Sequence, residues 1–495
     1  MRAAGSPERR RRIGDPGRRI ARFDLIEASG RYQPELGLGK RREPADMHCD
    51  KRLKIAVVGS GVSGLSAAWL LSKRHEVTLY EESDRIGGHA NTVSVCVEGR
   101  QIPVDTGFIV FNRKTYPNFV ALLDFLGVET QPSDMSFAVS MEDGAFEYSG
   151  SGLRGLFGQV RNAGRLRFWS MIADLVRFYR YAAADPIISD DPDLTLGDYL
   201  RLRRYGRPFR EDHLLPMASA IWSAPVSQIL SYPAAAFIRF NENHGLLQIK
   251  NRPAWETVAS GSRVYVDKLA ASLARGVRLG QGGRKIRRFR RYVTVEDAAG
   301  EEAYDHVVVA TGADQALRLL CDPTQEERSL LGAFNYSSNL AVLHCDESFM
   351  PKRRRVWSSW NYIQVDRAAH ERCCVTYWMN SLQQIESVKP LFLTLNPVRP
   401  PRAGTLLRTE VYHHPVFNRR AIAAQNELWS LQGVRKTWFC GSYFGSGFHE
   451  DGLQAGLAVA ERLGGVRRPW KVPNESSRIV LGPASIERAL SGQNA

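Results

Sequence analysis

Short apolar runs and helix-like periodicities alternate near the start of this chain. Residues 55–58, Ile-Ala-Val-Val, form an apolar run that predicts a buried strand, and residues 65–71 have the pattern of a helix. A second run at residues 77–80 predicts another strand, and a glycine-rich turn at residues 59–64 separates the first strand from the helix. The order strand, turn, helix, strand predicts a βαβ unit within a parallel sheet.

The rest of the chain mixes both patterns. Further strands are predicted at residues 91–95, 101–104, 136–139, 145–148, 277–279, 293–296, 306–309, 340–344, 373–378 and 437–441. Further helices are predicted at residues 118–126, 166–183 and 452–463, with another after the turn at residues 259–262. The predicted fold class is therefore α/β, with a Rossmann-like nucleotide-binding domain and an inserted mixed α+β domain.

The elements that accompany glycine-rich turns lie at the start, the middle and the end of the chain, so the nucleotide-binding domain is predicted to be discontinuous in sequence. It is predicted to comprise residues 53–115, 256–320 and 432–470, and the substrate-binding domain residues 116–255 and 321–431. Residues 1–52 are predicted to be a disordered basic extension, and residues 471–495 a C-terminal tail.

The predicted helix at residues 166–183 is amphipathic. One side is predicted to carry Leu166, Trp169, Ile172, Leu175, Val176 and Tyr179, with arginines flanking it. Such a helix is typical of a core helix with one solvated face. The alternative is a helix that lies on a membrane surface.

Composition and charge add information about partners and compartment. The chain has 495 residues, 43% of them hydrophobic, and a net charge of +15, of which +6 lies in residues 1–52. This charge predicts peripheral contact with an anionic membrane. Nucleic acid is disfavoured because the basic run at residues 285–291 lacks an aromatic stacking surface and is predicted to form the exposed face of a hairpin. The chain has no apolar run of about eighteen residues, so no transmembrane helix is expected. Its seven cysteines show no CxxC spacing, so we expect a cytoplasmic protein without a metal site.

The glycine-rich turn has the features of a dinucleotide site. Gly59 allows a tight turn off the strand, Gly61 removes a side chain where a pyrophosphate approaches, and Gly64 lets the helix pack closely on the sheet. Amide groups at the helix N-terminus then bind the pyrophosphate. Glu81 ends the second strand, where a carboxylate accepts hydrogen bonds from the adenosine ribose and disfavours a 2′-phosphate. The alternative is a βαβ turn without a ligand.

Residues 81–88 continue into a second glycine pair with the pattern Glu-x-x-x-Arg-x-Gly-Gly. This stretch resembles the flavin-containing amine oxidase superfamily, which includes phytoene desaturases. The stretches at residues 105–112 and 447–452 are similar to a bacterial branch of predicted FAD/NAD-binding dehydrogenases that is often associated with fatty-acyl modification. The resemblance implies a GR2-type FAD-binding domain.

The resemblance implies FAD as the cofactor, held by residues from all three segments. The implied contacts are Gly59, Ser60, Gly61, Val62, Ser63, Gly64, Glu81, Glu82, Gly87, Gly88, His89, Thr106, Gly107, Ile286, Ala310, Thr311, Gly312, Gly441, Ser442, Asp451, Gly452, Leu453 and Gln454. His89 stands where many relatives have arginine, and a histidine there can be neutral. The amides of residues 452–454 are expected to face the pyrimidine edge of the flavin, where a helix N-terminus stabilises the negative charge of the reduced ring.

Candidate catalytic residues lie beside that predicted edge. His449 and Glu450 are adjacent and are predicted to form an acid/base pair, with loop packing and an ion pair as the alternative. Residues 335–344, which resemble the strand that carries a water-binding lysine in many amine oxidases, contain no lysine. His413 and His414 have no third ligand at a suitable spacing for a metal. His414 is instead a candidate to face the substrate.

The leading functional hypothesis is an FAD-dependent oxidoreductase that takes hydride from an apolar substrate, with a lipid acyl chain as the named candidate, in a dehydrogenation (desaturation) or an isomerisation. The first alternative is a flavin amine oxidase that produces hydrogen peroxide. The second is a non-catalytic basic adaptor, for membrane or nucleic acid, on a flavin fold. The electron acceptor is left open.

Overall fold

The structure is a computed structural model that describes residues 52–191, 193–248, 252–273, 276–365 and 374–482. The predicted basic extension at residues 1–51 lies outside the described residues, as does residue 373 at the start of one predicted strand. Residues 483–495 of the predicted C-terminal tail also lie outside them.

The described chain alternates strands and helices, which are numbered in chain order. The strands are β1 Lys54–Val58, β2 Glu76–Tyr80, β3 Thr92–Val97, β4 Arg100–Asp105, β5 Val110–Asn112, β6 Thr130–Ser133, β7 Phe137–Met141, β8 Phe146–Ser149, β9 Trp255–Val258, β10 Val277–Arg278, β11 Lys285–Arg288, β12 Val293–Glu296, β13 Glu301–Tyr304, β14 His306–Val309, β15 Asn335–His344, β16 Trp360–Gln364, β17 Val375–Trp378, β18 Phe392–Leu395, β19 Leu406–Val416 and β20 Thr437–Phe439. The helices are α1 Val62–Leu71, α2 Pro117–Leu126, α3 Gly152–Leu156, α4 Leu166–Tyr181, α5 Ile187–Asp190, α6 Leu196–Leu202, α7 Arg207–Phe209, α8 Leu215–Trp222, α9 Val226–Leu230, α10 Ala234–Asn243, α11 Arg263–Ala271, α12 Ala313–Leu319, α13 Gln325–Leu331, α14 Met379–Leu382, α15 Arg419–Gln425 and α16 His449–Gly464.

A parallel sheet carries the glycine-rich turn at the end of its central strand. Its order is β10-β2-β1-β14-β20, and Val58 at the end of β1 lies between Tyr80 of β2 and Val309 of β14. Helices cover both faces of such a sheet, which explains why β1 and β14 are almost entirely apolar and buried. Because β1, β14 and β20 are distant in sequence, the sheet confirms the predicted α/β class and brings three stretches of chain together.

Two helices of this region pack against each other through a glycine. A Cβ atom on Gly456 of α16 would lie 2.2 Å from the carbonyl oxygen of Ser63 in α1. The missing side chain therefore lets the two helix backbones touch, and this contact brings the start of α16 to the glycine-rich turn.

A three-stranded antiparallel sheet, β11-β12-β13, follows the parallel strand β10. The basic run at residues 285–291 forms β11 and the hairpin turn, as predicted, and the Phe289 amide donates to the Tyr292 carbonyl oxygen at 2.9 Å. The expected absence of an aromatic surface is wrong, because the exposed rings of Phe289 and Tyr292 stack with their centroids 4.7 Å apart. Arg288 departs from the predicted exposed face. Its side chain is fully buried, and it forms an ion pair with Glu327 and another with Asp322.

The second large sheet contains seven strands in the order β19-β15-β18-β17-β16-β7-β8. β16 and β7 are parallel, and the other neighbouring pairs are antiparallel. A separate apolar core on this sheet includes Val139, Tyr148, Leu343 and Tyr377, and it also takes Phe168 from α4. The sheet and helices α3 to α10 form the predicted mixed α+β region, whereas the exact domain boundaries stay a prediction.

Two further sequence predictions differ from the structure. α16 begins at His449, three residues earlier than predicted, and Asp451 accepts a hydrogen bond from the Phe448 amide at 2.8 Å near its start. Leu166 and Trp169 do not lie in the core as predicted, because they are 88% and 48% exposed and Phe168 is buried instead. Periodicity alone could not select the buried side, since α4 has large apolar residues on both. None of the helices that the structure describes is long and apolar enough to cross a membrane.

Candidate functional site

The glycine-rich turn is closely packed at two glycines and open at a third. A Cβ atom on Gly64 would lie 1.8 Å from the carbonyl oxygen of Gly59, and a Cβ atom on Gly59 would lie 2.9 Å from that of Ala310. A Cβ atom on Gly61 would meet no atom within 4 Å. Gly61 is the N-cap of α1, so the open space lies beside the first amides of the helix, those of Val62 and Ser63. This arrangement forms a cradle for an anion such as a pyrophosphate.

The acidic residue at the end of β2 is held at the edge of this cradle. Glu81 Oε2 accepts hydrogen bonds from the Ser60 amide at 3.0 Å and from Ser60 Oγ at 2.5 Å, and Oε1 accepts from the Ser83 amide at 2.9 Å. Glu82 is exposed and packs against Gly282. The carboxylate of Glu81 is therefore fixed in orientation, as binding a ribose requires.

The second glycine pair folds over the first turn. The Gly87 amide donates to the Ser60 carbonyl oxygen at 3.1 Å, and Gly87 has φ +110°, which favours glycine. A Cβ atom on Gly88 would lie 3.0 Å from the Cα atom of Gly61. The second glycine pair, Gly87 and Gly88, therefore lies against the glycine-rich turn beside the open space at Gly61.

His89, Thr106 and Gly107 lie together next to the second glycine pair. A Cβ atom on Gly107 would lie 2.1 Å from the His89 carbonyl oxygen, and Thr106 Oγ1 lies 2.7 Å from Tyr412 Oη. His89 is an exposed residue, although many protein atoms lie around its ring. This desolvation, with Arg85, lowers the pKa of His89 to about 4. The imidazole is therefore neutral at pH 7, unlike the arginine of the relatives.

A second imidazole lies beside His89. The ring centroids of His89 and His414 are 5.3 Å apart, and His414 Nδ1 lies 2.9 Å from Asn339 Nδ2. Desolvation and the neighbouring His89 lower the pKa of His414 to about 3. The predicted orientation of His414 towards a substrate stays a prediction, and the structure places this side chain next to the cofactor residues.

The residues that follow the carboxyl ends of β14 and β20 lie next to the glycine-rich turn. Ala310 and Thr311 contact the glycine-rich turn, since a Cβ atom on Gly59 would lie 3.2 Å from Thr311 Cγ2. Gly312 is the N-cap of α12. A Cβ atom on Gly441 would lie 3.5 Å from the Thr311 carbonyl oxygen. Residues predicted from the middle and the end of the chain therefore meet at the turn.

The start of α16 reaches the same turn. A Cβ atom on Gly452 would lie 2.9 Å from Val62 Cγ1 and 3.6 Å from the Ser442 amide nitrogen. Asp451 accepts a hydrogen bond from Arg478 Nε at 2.5 Å, and Leu453 and Gln454 are fully buried. The predicted cofactor residues of α16 thus lie against the first helix. The predicted donor role of the amides of residues 452–454 is wrong, because α16 begins at His449 and the Gly452 amide donates to the Phe448 carbonyl oxygen at 3.2 Å, so these amides lie beyond the free N-terminal donors of the helix.

Glu450 connects α16 to α2. Its Oε1 accepts from the Asn118 amide at 3.1 Å, from Asn118 Nδ2 at 2.9 Å and from Gln454 Nε2 at 2.9 Å, and Oε2 accepts from the Phe119 amide at 2.9 Å. Burial raises the pKa of Glu450, and these donors oppose that rise. The carboxylate binds free amides at the N-terminus of α2, which is a structural role. A proton-transfer role would require breaking these bonds, so the catalytic assignment of Glu450 stays a prediction.

The His449 ring is also held by a stacking contact and a hydrogen bond. Its ring stacks on Phe108 with a centroid distance of 3.8 Å, and its Nε2 lies 2.6 Å from Tyr265 Oη. Burial lowers the pKa of His449 to about 3. The ring is therefore neutral and held in place, and its predicted catalytic role likewise stays a prediction.

Ile286 is the predicted cofactor residue that lies apart from the others. Its side chain is fully buried in the apolar core, and its carbonyl oxygen accepts a hydrogen bond from the Cys321 amide at 3.1 Å. Gly282 packs against the Glu82 side chain, and the Gln281 amide donates to the Glu81 carbonyl oxygen at 3.1 Å. The loop before β11, rather than Ile286, therefore borders Glu81, the acid predicted to bind the ribose.

Two polar side chains at the C-terminal end of α10, those of Asn241 and His244, were not among the predicted site residues. His244 Nδ1 lies 2.9 Å from the Phe240 carbonyl oxygen, so this nitrogen carries the proton and Nε2 carries the lone pair. Within the described part of the chain, neither His244 Nε2 nor Asn241 Oδ1 has a hydrogen-bond partner, although both are buried. The His244 ring lies 5.6 Å from that of Phe448, the N-cap of α16. The only signal in the sequence is their spacing of three residues, which is common in any helix.

The geometry fits FAD. An anion cradle at the start of α1 has a fixed carboxylate at its edge, and the first turn of a second helix, α16, packs against α1 at Val62. Residues 59–64 and 81–89 would hold the ADP part and the pyrophosphate, and the start of α16 would border the flavin.

Comparisons with known proteins agree with this fold. The family described as flavin containing amine oxidoreductase matches residues 62–380. A fatty acid isomerase from P. acnes, described as producing CLA, superposes with a TM-score of 0.57, 16% identity and coverage of 83% of this chain and 98% of that chain. Cyclohexylamine oxidase from Brevibacterium oxydans gives a TM-score of 0.59, 15% identity and coverage of 83% and 100%. At these identities the likeness shows the fold alone.

Similarity to curated proteins is confined to short stretches. The carotenoid phi-ring synthase of Chlorobaculum tepidum is 35% identical over 92 residues, which are 18% of this chain and 14% of that protein. The family match favours an enzyme over a non-catalytic adaptor. The chain therefore belongs to the flavin-containing amine oxidoreductase family, whose members bind FAD, and it is an FAD-dependent oxidoreductase.

Proposed function

We propose that this oxidoreductase takes hydride from an apolar substrate and that the substrate class is a lipid acyl chain, in a dehydrogenation (desaturation) or an isomerisation. The observation that carries the proposal is the apolar packing of side chains beside the loop that precedes α16. These side chains enclose a cavity of about 20 Å³, room for about one water molecule, so an acyl chain would have to move them apart. The cavity is lined by Trp222, Ile229, Tyr232, Pro415 and Phe417, among others. Its polar groups are the Gln228 amide, the Tyr232 hydroxyl and the Trp222 indole N–H, and within the described residues Gln228 Oε1 and Trp222 Nε1 have no hydrogen-bond partner. No charged side chain is found among the described residues that line it.

The cavity adjoins the start of α16 through a continuous aromatic wall. A Cβ atom on Gly447 would lie 3.0 Å from Phe417 and 3.2 Å from Pro415. The Phe448 ring stacks with Phe240 at 4.7 Å, and Phe240 lies 4.7 Å from Trp222. Such a wall favours methylene groups, since each buried CH₂ contributes about 0.8 kcal/mol. An ammonium group would gain no carboxylate there.

Removal of two hydrogens from a carbon chain needs acceptors for a hydride and for a proton. Bound FAD supplies the two-electron acceptor. His244 is our candidate to accept the proton, because its Nε2 carries a lone pair and lies in the aromatic wall. Burial lowers the pKa of His244 to about 3, which keeps the imidazole neutral at pH 7. Asn241 is our candidate to orient a polar group, or a water molecule, beside it.

A flavin amine oxidase that produces hydrogen peroxide is the second candidate. The family match supports it, and the stacked pair Phe240 and Phe448 could hold a cation on its ring faces. Strand β15, however, contains no lysine, and Asn339 lies on it where it meets His414. This weighs against imine chemistry with a lysine-bound water.

Anaerobic photometry of the yellow holoprotein tests the two candidates. Unsaturated phospholipids, polyenes, putrescine and cyclohexylamine are added in turn while the visible flavin band is followed. A dehydrogenation should bleach the flavin band with the acyl lipids and not with the amines. An isomerisation returns the hydride within each turnover, so it should instead give a shifted double bond in the recovered acyl lipid without lasting bleaching. Bleaching by an amine, with hydrogen peroxide released on admission of air, would favour the second candidate. Bleaching by nicotinamide nucleotides alone would refute both and indicate a reductase.

Gln228→Glu provides a variant of matched shape. It places a carboxylate in the cavity, so it should slow bleaching by acyl lipids and leave the flavin content unchanged. His244→Gln should slow bleaching at equal flavin content. If both variants react with acyl lipids at the parental rate, the cavity does not hold the substrate.

A further inference from the structure

We propose that the corner formed by α3, the 3₁₀ turn Val160–Gly164 and the first turn of α4 docks on an anionic phospholipid surface. This docking corner belongs to the region of the seven-stranded sheet. The inference concerns an interaction surface, and it does not rest on the proposed acyl substrate.

Four large apolar side chains project from the docking corner. Leu153 is 74% exposed, Val160 71%, Leu166 88% and Trp169 48%. Single exposed apolar residues are common on protein surfaces, but a cluster of this kind typically marks an interaction site.

Hydrogen bonds and ring contacts hold the four residues on one compact piece of structure. The Phe157 amide donates to the Leu153 carbonyl oxygen at 3.0 Å, and the Phe157 ring lies 5.9 Å from that of Trp169. Trp169 Nε1 donates to the Ala163 carbonyl oxygen at 2.8 Å, which ties α4 to the 3₁₀ turn that contains Val160. Leu166 is the first residue of the same helix. Docking would therefore bury preformed side chains and require little ordering of the chain.

The charge of the docking corner is uniformly positive. Residues 148–173 contain four arginines and no acidic residue. Arg167 is paired with Asp212, and Arg165 donates to the Ala145 carbonyl oxygen at 3.1 Å. Arg154 and Arg161 are exposed, and within the described ranges neither forms an ion pair. Arg355 is exposed and adjoins the corner, because a Cβ atom on Gly158 would lie 3.4 Å from Arg355 Cγ.

This combination fits the boundary between lipid headgroups and acyl chains. Tryptophan and leucine insert their apolar parts, while arginine extends its charge to phosphate groups. Nucleic acid would use stacked aromatic faces beside the charge, whereas three of the four projecting side chains are aliphatic. Charge and shape therefore both favour an anionic bilayer.

The test is sedimentation of the full-length holoprotein with vesicles. Vesicles of equal parts phosphatidylcholine and phosphatidylglycerol are compared with vesicles of phosphatidylcholine alone. We expect binding to the anionic vesicles that weakens with salt. The double variant Leu166→Asp/Trp169→Asp should abolish it, and Arg154→Glu/Arg161→Glu should weaken it by about thirtyfold or more, since each arginine near an anionic surface contributes roughly fivefold.

A matched control exists at the turn between β11 and β12. Arg290 and Arg291 are exposed there beside the stacked rings of Phe289 and Tyr292, which are 44% and 42% exposed. Arg290→Glu/Arg291→Glu makes the same change in net charge as the docking-corner variant, and it should reduce vesicle binding much less. Equal losses in the two variants would show that total charge drives binding and would overturn the proposal.

Three further results would also overturn it. The first is absence of binding to anionic vesicles, and the second is parental binding by Leu166→Asp/Trp169→Asp. The third is binding to a single-stranded oligonucleotide, but not to vesicles, that depends on Arg154 and Arg161. Flavin content and circular dichroism confirm the folding of each variant, and exposed positions of this kind tolerate substitution.

Discussion

Replacement of Gly61 by alanine is the most selective perturbation of the cofactor site. The N-cap conformation of Gly61, φ −61° and ψ 175°, is open to alanine, and the added Cβ atom would meet no protein atom within 4 Å. The methyl group would instead occupy the cradle at the α1 N-terminus. We therefore expect a folded protein that binds FAD weakly.

The magnitude follows from the interactions that the methyl group displaces. A hydrogen bond to a charged group contributes about 1.5–3 kcal/mol, so loss of one amide–phosphate contact should weaken FAD binding about ten- to a hundredfold. The unfolding free energy of the apoprotein should change by about 1 kcal/mol or less, since glycine is only modestly better than alanine at an N-cap.

Titration of apoprotein with FAD, followed by flavin fluorescence, measures the affinity, and urea unfolding of the apoprotein measures stability. Gly64→Ala is the matched control, because its Cβ atom would lie 1.8 Å from the Gly59 carbonyl oxygen. That clash should cost about 1–3 kcal/mol of stability or more. Parental FAD affinity in Gly61→Ala would refute the position of the pyrophosphate.

Three further predictions concern the ribose, the pH dependence and the core. Glu81→Ala should weaken FAD retention about tenfold or more, whereas unchanged flavin occupancy after gel filtration would contradict the ribose assignment. Burial lowers the pKa of His213 from its ordinary value to about 4, so its contribution to stability is complete above the unfolded pKa and is lost as the pH falls. When the pH falls from about 7.5 to about 5, the unfolding free energy of His213→Gln should therefore decrease by about 2 kcal/mol less than that of the parent protein. Identical pH profiles of the two proteins would contradict this. Arg288→Ala removes the ion-pair partner of the buried Glu327 carboxylate, so the unfolding free energy measured with urea should fall by about 3–5 kcal/mol. A decrease below about 1 kcal/mol would contradict this.

The cofactor turn could be predicted because its signals are local. An apolar run, three glycines at fixed spacing and an acid at the next strand end each specify a backbone conformation within a few residues. The structure accordingly packs Gly59 and Gly64 closely, leaves Gly61 open and fixes Glu81 on the same turn, although their contacts with FAD stay a prediction.

Side-chain roles beyond the turn were harder to predict, since partners come from distant residues. In sequence, Glu450 is an acid beside a histidine, which favours catalysis. Only the fold shows that this carboxylate accepts hydrogen bonds from the first amides of α2, which lie more than three hundred residues earlier in the chain. His244 gave no signal in sequence either, because its importance comes from the neighbouring Phe448 and from an unpartnered nitrogen.

The sequence by itself determined the class of fold, the order of its strands and helices around the glycine-rich turn, and the family, because periodicity and glycine spacing act over a few residues. The tertiary structure alone decided which side of α4 is buried and which projects Leu166 and Trp169, and it buried Arg288 within a basic run. These outcomes depend on which surfaces of distant segments meet. Burial and pairing energies act between such segments, and neither can be read from the pattern of one segment alone.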